Sequence, residues 1–144
     1  MENLDEEADR ALRSAGWMPG RRIDVAGWRV ALLRSGFPVH RAAEEFLAEF
    51  GGLSFDDMGP GVSRAREALV FDPLLAIGEE DRFAAWGKRI DRELCPIGEL
   101  DGGRFFLAID EDGMIYLVAD WVGRFGIGRD GVDHLVVGIA PDKS

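Results

Sequence analysis

The stretch Phe105-Phe106-Leu107-Ala108-Ile109-Asp110-Glu111-Asp112-Gly113-Met114-Ile115-Tyr116-Leu117-Val118 limits the fold of this chain more than any other part. Two apolar runs rich in aromatic and β-branched residues flank a short acidic turn. Asp-Gly supplies the unusual backbone angles that a tight connection needs, and the flanks favour extended chain. The stretch therefore predicts a β-hairpin with strands near 104–110 and 114–119. A calcium loop is the competing reading of Asp110, Asp112 and Gly113. In that register the first and last ligands would be Ala108 and Ala119, which carry no oxygen donor on the side chain, so the hairpin reading holds.

The surroundings extend the meander. Leu53-Ser54-Phe55 and Ala68-Leu69-Val70-Phe71 read as short strands, the second ended by Asp72-Pro73, and another strand falls near 96–100. Residues 58–66, with Gly59-Pro60-Gly61, read as a loop. Residues 123–131 read as a Gly-rich loop before a last helix with Val132, Leu135, Val136 and Ile139 inward.

Helical periodicity dominates the first half. Leu4, Ala8, Ala11, Leu12 and Ala15 share one face behind Asn3 as cap, and Gly16 ends that helix. Val25, Trp28 and Leu32 form a second face behind Asp24, stopped by Gly36 and Pro38. Val39, Ala42, Ala43, Phe46, Leu47 and Phe50 give the clearest helix, closed by Gly51-Gly52. Phe83, Trp86, Ile90 and Leu94 mark a fourth helix over 79–94. Strands joined by tight turns, with helices at both ends, predict an α+β fold: a mostly antiparallel sheet covered by N-terminal and C-terminal helices, in a single domain spanning 1–144 with its core at about 17–139.

Charge narrows the partners. The net charge is −10, which disfavours nucleic acid, whose binding needs cations on phosphates, and disfavours anionic membranes. A basic partner would be attracted and steered. Residues 1–50 carry 7 basic and 9 acidic groups, net −2, and residues 51–144 carry 10 and 18, net −8. Residues 2–13 are too charged for a signal peptide, and no apolar run approaches the ~20 residues of a membrane span, so a cytoplasmic location is expected. The lone Cys95 excludes an intramolecular disulfide and a multi-cysteine metal site.

Candidate chemistry is sparse. Gly126-Ile127-Gly128-Arg129-Asp130-Gly131 matches a dinucleotide-loop spacing, yet only 13 residues follow it, too few for the βαβ unit and acidic residue that the mechanism needs. His40 with Glu44 lacks the second histidine of a zinc protease helix. His134 with Asp130 or Asp133 could form an acid–base pair but has no nucleophile in a motif. Cys95-Pro96 lacks the partners of a zinc deaminase. No catalytic residue, metal ligand or cofactor is assigned, and a non-enzymatic role is expected. Of the four tryptophans, Trp28 and Trp86 lie on apolar helical faces and are read as core, Trp17 pins the first helix to the second, and Trp121 follows Asp120 beyond the last strand, either exposed as a binding anchor or folded back over the sheet.

The order AAEEFLAEFGGLSF (42–55), LVFDP (69–73), PIGEL (96–100), FFLAIDEDGMIYLV (105–118), final loop and helix resembles the SUKH superfamily of bacterial immunity proteins, most nearly its third subgroup. The likeness runs from about Trp17 to about Ile139. It implies an α+β scaffold that binds and neutralises a cognate toxin of a polymorphic toxin system, often a nuclease or deaminase, without cofactor. Gly51, Gly52, Pro73, Gly98 and Gly113 carry over as scaffold positions. Related domains also serve as signalling and scaffold adaptors, so a cytoplasmic adaptor is the alternative. A protein at −10 suits a toxin with a basic surface, whose cleft it would occlude. The acidic residues expected at the surface, and hence expected to meet the toxin, are Asp56, Asp57, Glu79, Glu80, Asp110, Glu111, Asp112 and Asp120, joined by Trp121. Glu79, Glu80 and the adjacent Asp81 also favour the first turn of their own helix through its dipole.

Overall fold

The computed structural model describes residues 4–56, 60–61 and 67–143. Among these residues seven antiparallel strands form one sheet in strict chain order: β1 (Ser54–Phe55), β2 (Leu69–Val70), β3 (Cys95–Leu100), β4 (Phe105–Ile109), β5 (Met114–Val118), β6 (Val122–Ile127) and β7 (Asp142–Lys143). Five helices within the described residues accompany it: α1 (Leu4–Ser14), α2 (Ala26–Ser35), α3 (Arg41–Phe50), α4 (Glu80–Ile90) and α5 (Arg129–Val137). A 3₁₀ turn, Pro73–Ala76, follows β2. This is the α+β single-domain architecture that the sequence predicts.

The hairpin at 105–118 forms in the expected register. Ala108 pairs with Tyr116 and Ile109 with Ile115, and Gly113 takes a φ of 90° in the turn. The turn's left-handed backbone explains why glycine follows the acidic residues. On β3, a Cβ at Gly98 would lie 2.1 Å from the Val70 carbonyl oxygen. Only glycine lets β2 come this close to the bulge between Pro96 and Gly98.

The core lies between the sheet and its helices. Phe46, Phe50 and Phe55 of the α3–β1 region stack around Phe71 at centroid distances of 5.2–6.4 Å. Phe83 of α4 meets Phe37, Trp86 and Phe106 at 5.4, 5.2 and 5.7 Å. Trp86 is buried, and its indole N–H donates to the Ala119 carbonyl at 2.9 Å, tying α4 to the β5–β6 turn. Arg21 donates to the Glu49 and Gly51 carbonyls at 2.5 and 2.8 Å, satisfying orphaned acceptors at the end of α3.

Three expectations are corrected. Residues 122–127 are a strand, where the sequence suggests part of a Gly-rich loop. The glycines there serve close packing: a Cβ at Gly131 would stand 2.6 Å from the Gly126 oxygen and 2.9 Å from Ile115 Cδ1. The dinucleotide-like spacing thus seats α5 against β6. Asp24 accepts from the Ala26 amide at 2.9 Å, but Val25 occupies the cap position of α2. Trp28 is half-buried rather than core, its ring filling the space a side chain at Gly51 would need. The expected cap Asn3 and most of the 58–66 loop lie outside the described residues.

α1 packs on α5. Arg129 holds the two together, with its guanidinium 2.6 Å from Asp133, 3.6 Å from Asp9 and 4.8 Å from the Trp17 ring centroid. Trp17 itself donates to Glu49 at 3.1 Å.

Candidate functional site

The acidic β4–β5 turn is the first place to look for a binding surface, and its leading residue is withdrawn from one. Asp110 is 2% exposed. Its Oδ1 accepts the amides of Asp112 and Met114 at 2.8 and 3.0 Å, its Oδ2 accepts the Tyr116 hydroxyl at 2.8 Å, and Arg92 stands 4.0 Å away. A buried carboxylate without partners would cost several kcal/mol. Three donors at roughly 1.5–3 kcal/mol each offset that cost, so burial is sustained. The expectation that Asp110 faces a partner is corrected: it folds the turn from inside. Tyr116 is affected in return, since burial first and the Asp110 bond second raise its phenol above the ordinary range.

Glu111 and Asp112 stay exposed. Both are engaged with the segment after α4: Glu111 accepts from the Glu93 amide at 3.3 Å, and Asp112 pairs with Arg92 at 2.6 Å. Exposed pairs of this kind contribute little to stability.

The histidines are structural connectors. His40 caps α3 by accepting the Ala43 amide on Nδ1 at 3.2 Å. With Nδ1 an acceptor, the neutral ring carries its proton on Nε2, which faces the Glu93 and Ile109 carbonyls at 3.0 and 3.2 Å. His134 directs Nδ1 at the Phe125 carbonyl, joining α5 to β6. Its supposed partner Asp133 is instead held by Arg129 and has its pKa raised, mainly by burial. Among the described residues neither histidine is joined to a nucleophile. Cys95 is buried, and desolvation pushes its thiol up to about 12, so it is no nucleophile at neutral pH. Among the described residues no group of three His, Cys, Asp or Glu is arranged to hold a metal ion, and no helix is long and apolar enough to cross a membrane.

The remaining candidates divide by position. The β4–β5 and β5–β6 turns sit at opposite ends of β5, about 17 Å apart for a five-residue strand, so Glu111 and Asp112 are separated from Asp120 and Trp121. Asp120 is exposed. Trp121 is half-buried against the core, over Gly123, so it folds back rather than standing free. Asp56 is exposed after edge strand β1. Asp57 lies outside the described residues. Glu79 and Glu80 begin α4 beside exposed Asp81, and Glu80 shares a shallow cleft with Gly36, Phe37 and Pro38.

Sequence reasoning overlooked one neighbour of that acidic start. The 3₁₀ turn leaves Leu74 and Leu75 exposed, and Ile77 follows them. On α2, Val30 and Leu33 are exposed too. The available signal was α2 itself: Val25, Trp28, Val30, Leu32 and Leu33 leave it no cleanly polar face.

Within the described residues the arrangement offers a rigid sheet, connector histidines and surface carboxylates beside apolar side chains. They sit on a small α+β domain. The chain belongs to the SUKH-3 immunity protein family, whose model matches residues 4–137. The match begins at α1, ahead of the core boundary near residue 17 read from the sequence. Comparison with curated proteins and with solved structures returned no significant match.

Proposed function

We propose that this immunity protein binds a cognate toxin of nuclease or deaminase type and neutralises it by covering its substrate cleft, without catalysis and without cofactor. The observation that carries this reading is the SUKH-3 match along nearly the whole chain. The net charge of −10 supports a toxin with a basic surface, because a negative surface speeds encounter with the cationic groups that a nuclease aims at phosphates. Glu79, Glu80, Glu111, Asp112, Asp120 and Asp56 are the carboxylates assigned to this contact in our reading. A cytoplasmic site of action fits a toxin that would otherwise attack nucleic acid inside the cell.

The test is co-expression with the toxin domain encoded beside this gene. Rescue of growth, with a one-to-one complex on co-purification, is the expected result. Continued toxicity with full expression of both proteins would remove the reading.

A further inference from the structure

Seven large apolar side chains stand exposed among the described residues, and five of them, Val30, Leu33, Leu74, Leu75 and Ile77, belong to two segments. Those segments meet, because α2 packs against the 3₁₀ turn. Val30 and Leu33 are 45% and 53% exposed and lie three residues apart, on one side of the helix. Single exposed apolar residues are ordinary, but five on two touching elements are a departure that points to an interaction surface.

The border of this strip tells what covers it. From Asp72 to Asp81 the chain carries four carboxylates, Asp72, Glu79, Glu80 and Asp81, and no lysine or arginine. Arg29, Arg34 and Arg82 flank the strip; Arg29 is paired with Glu44 at 3.4 Å, and Arg82 is held by Glu79 at 3.1 Å and lies over Trp86. A second copy of the chain is a poor occupant. A two-fold contact here would oppose the same carboxylates in two molecules of charge −10. A cationic protein surface with an apolar anchor complements both the strip and its border.

We infer that the α2–3₁₀ strip, with the acidic start of α4 as its rim, is the surface on which the toxin docks. Leu33, Leu75 and Ile77 supply the apolar centre. Glu79, Glu80 and Asp81 steer the approach. The inference rests on the immunity reading and adds the contact surface to it.

Leu33→Glu with Leu75→Glu tests the centre, and Met18→Glu with Ile127→Glu, on side chains 61% and 56% exposed elsewhere, is the control. Binding to the neighbouring toxin domain is measured by titration calorimetry, with thermal melts to verify folding. The expected result is a loss of about 30-fold or more for the strip variant and nearly unchanged binding for the control. Wild-type binding with an undiminished strip variant would overturn the docking surface and leave the immunity reading standing. Absence of wild-type binding would sink both. Should the strip variant melt below the assay temperature, Asp81→Lys is read instead: slower association supports the rim, an unchanged rate refutes it. A wild-type dimer in sedimentation that the strip variant dissolves would also overturn the inference, since the strip would then serve a second copy.

Discussion

Carboxylates do opposite work in the β4–β5 turn and at the start of α4. In the turn, Asp110 is enclosed, accepts three hydrogen bonds and makes the hairpin. At the helix start, Glu79, Glu80 and Asp81 remain near water, and the bonds they make are local: Glu79 to Arg82 and Glu80 to the Gly78 amide at 3.1 Å. The same residue type is scaffold in one place and surface in the other. What separates them is whether donors converge on the group, not how acidic the neighbourhood looks in the sequence.

The sharpest way to break this contrast is Asp110→Ala. It leaves the Tyr116 hydroxyl and the turn amides without their acceptor, and should cost about 3 kcal/mol in denaturant unfolding. A loss below about 1 kcal/mol would show that the buried network matters little. Tyr116→Phe removes one of the three bonds and should cost about 1.5 kcal/mol.

Tyr116 also gives a pH signature. It is the chain's only tyrosine, so tyrosinate absorbance reads it alone. Its pKa is raised from the ordinary 10.0 by burial and by the Asp110 bond. The folded state therefore holds the phenolic proton more tightly than the unfolded state. This contribution is complete below pH 10 and is lost as pH climbs toward the folded value. Absorbance should lag behind that of free tyrosine until the protein unfolds; titration near 10 in the folded protein would contradict the geometry.

His40→Ala extends the comparison to the helix that meets the same turn. It removes the α3 cap and the bonds to Glu93 and Ile109, for a loss of about 1–2 kcal/mol; an unchanged midpoint would show the connector to be dispensable. The smallest effect on folding belongs to Glu79→Gln, Glu80→Gln and Asp81→Asn together. Only helix-dipole and local contacts are lost, within about 1 kcal/mol, while toxin association should slow measurably in stopped flow. Large destabilisation with unaltered association would reverse the roles assigned to the two regions.

Periodicity and turn chemistry made much of the scaffold legible. The apolar runs on either side of the Asp112-Gly113 turn predicted β4 and β5, and the three- and four-residue steps from Val39 to Phe50 predicted α3. β6 escaped because Gly123 and Gly126 give no strand signal; they are there for close packing, the first against Trp121 and Pro141 and the second against the start of α5. Asp110 was misplaced for a related reason: composition cannot tell a carboxylate that meets Tyr116 from one that meets water. The surface strip was hidden in α2, where an apolar residue on the outward side has the same letter as one in the core.

The strand order has a consequence for how the molecule comes into being. Every strand pairs with its chain neighbour, and the ribbons β3–β4, β4–β5 and β5–β6 close over short spans, so their entropic cost of closure is small. α1 stands at the other extreme. Its cradle on α5 and the Arg129 clamp need residues 129–137, far along the chain from it. Once made, α1 waits for a partner that is synthesised much later, and its docking reports that α5 is in place.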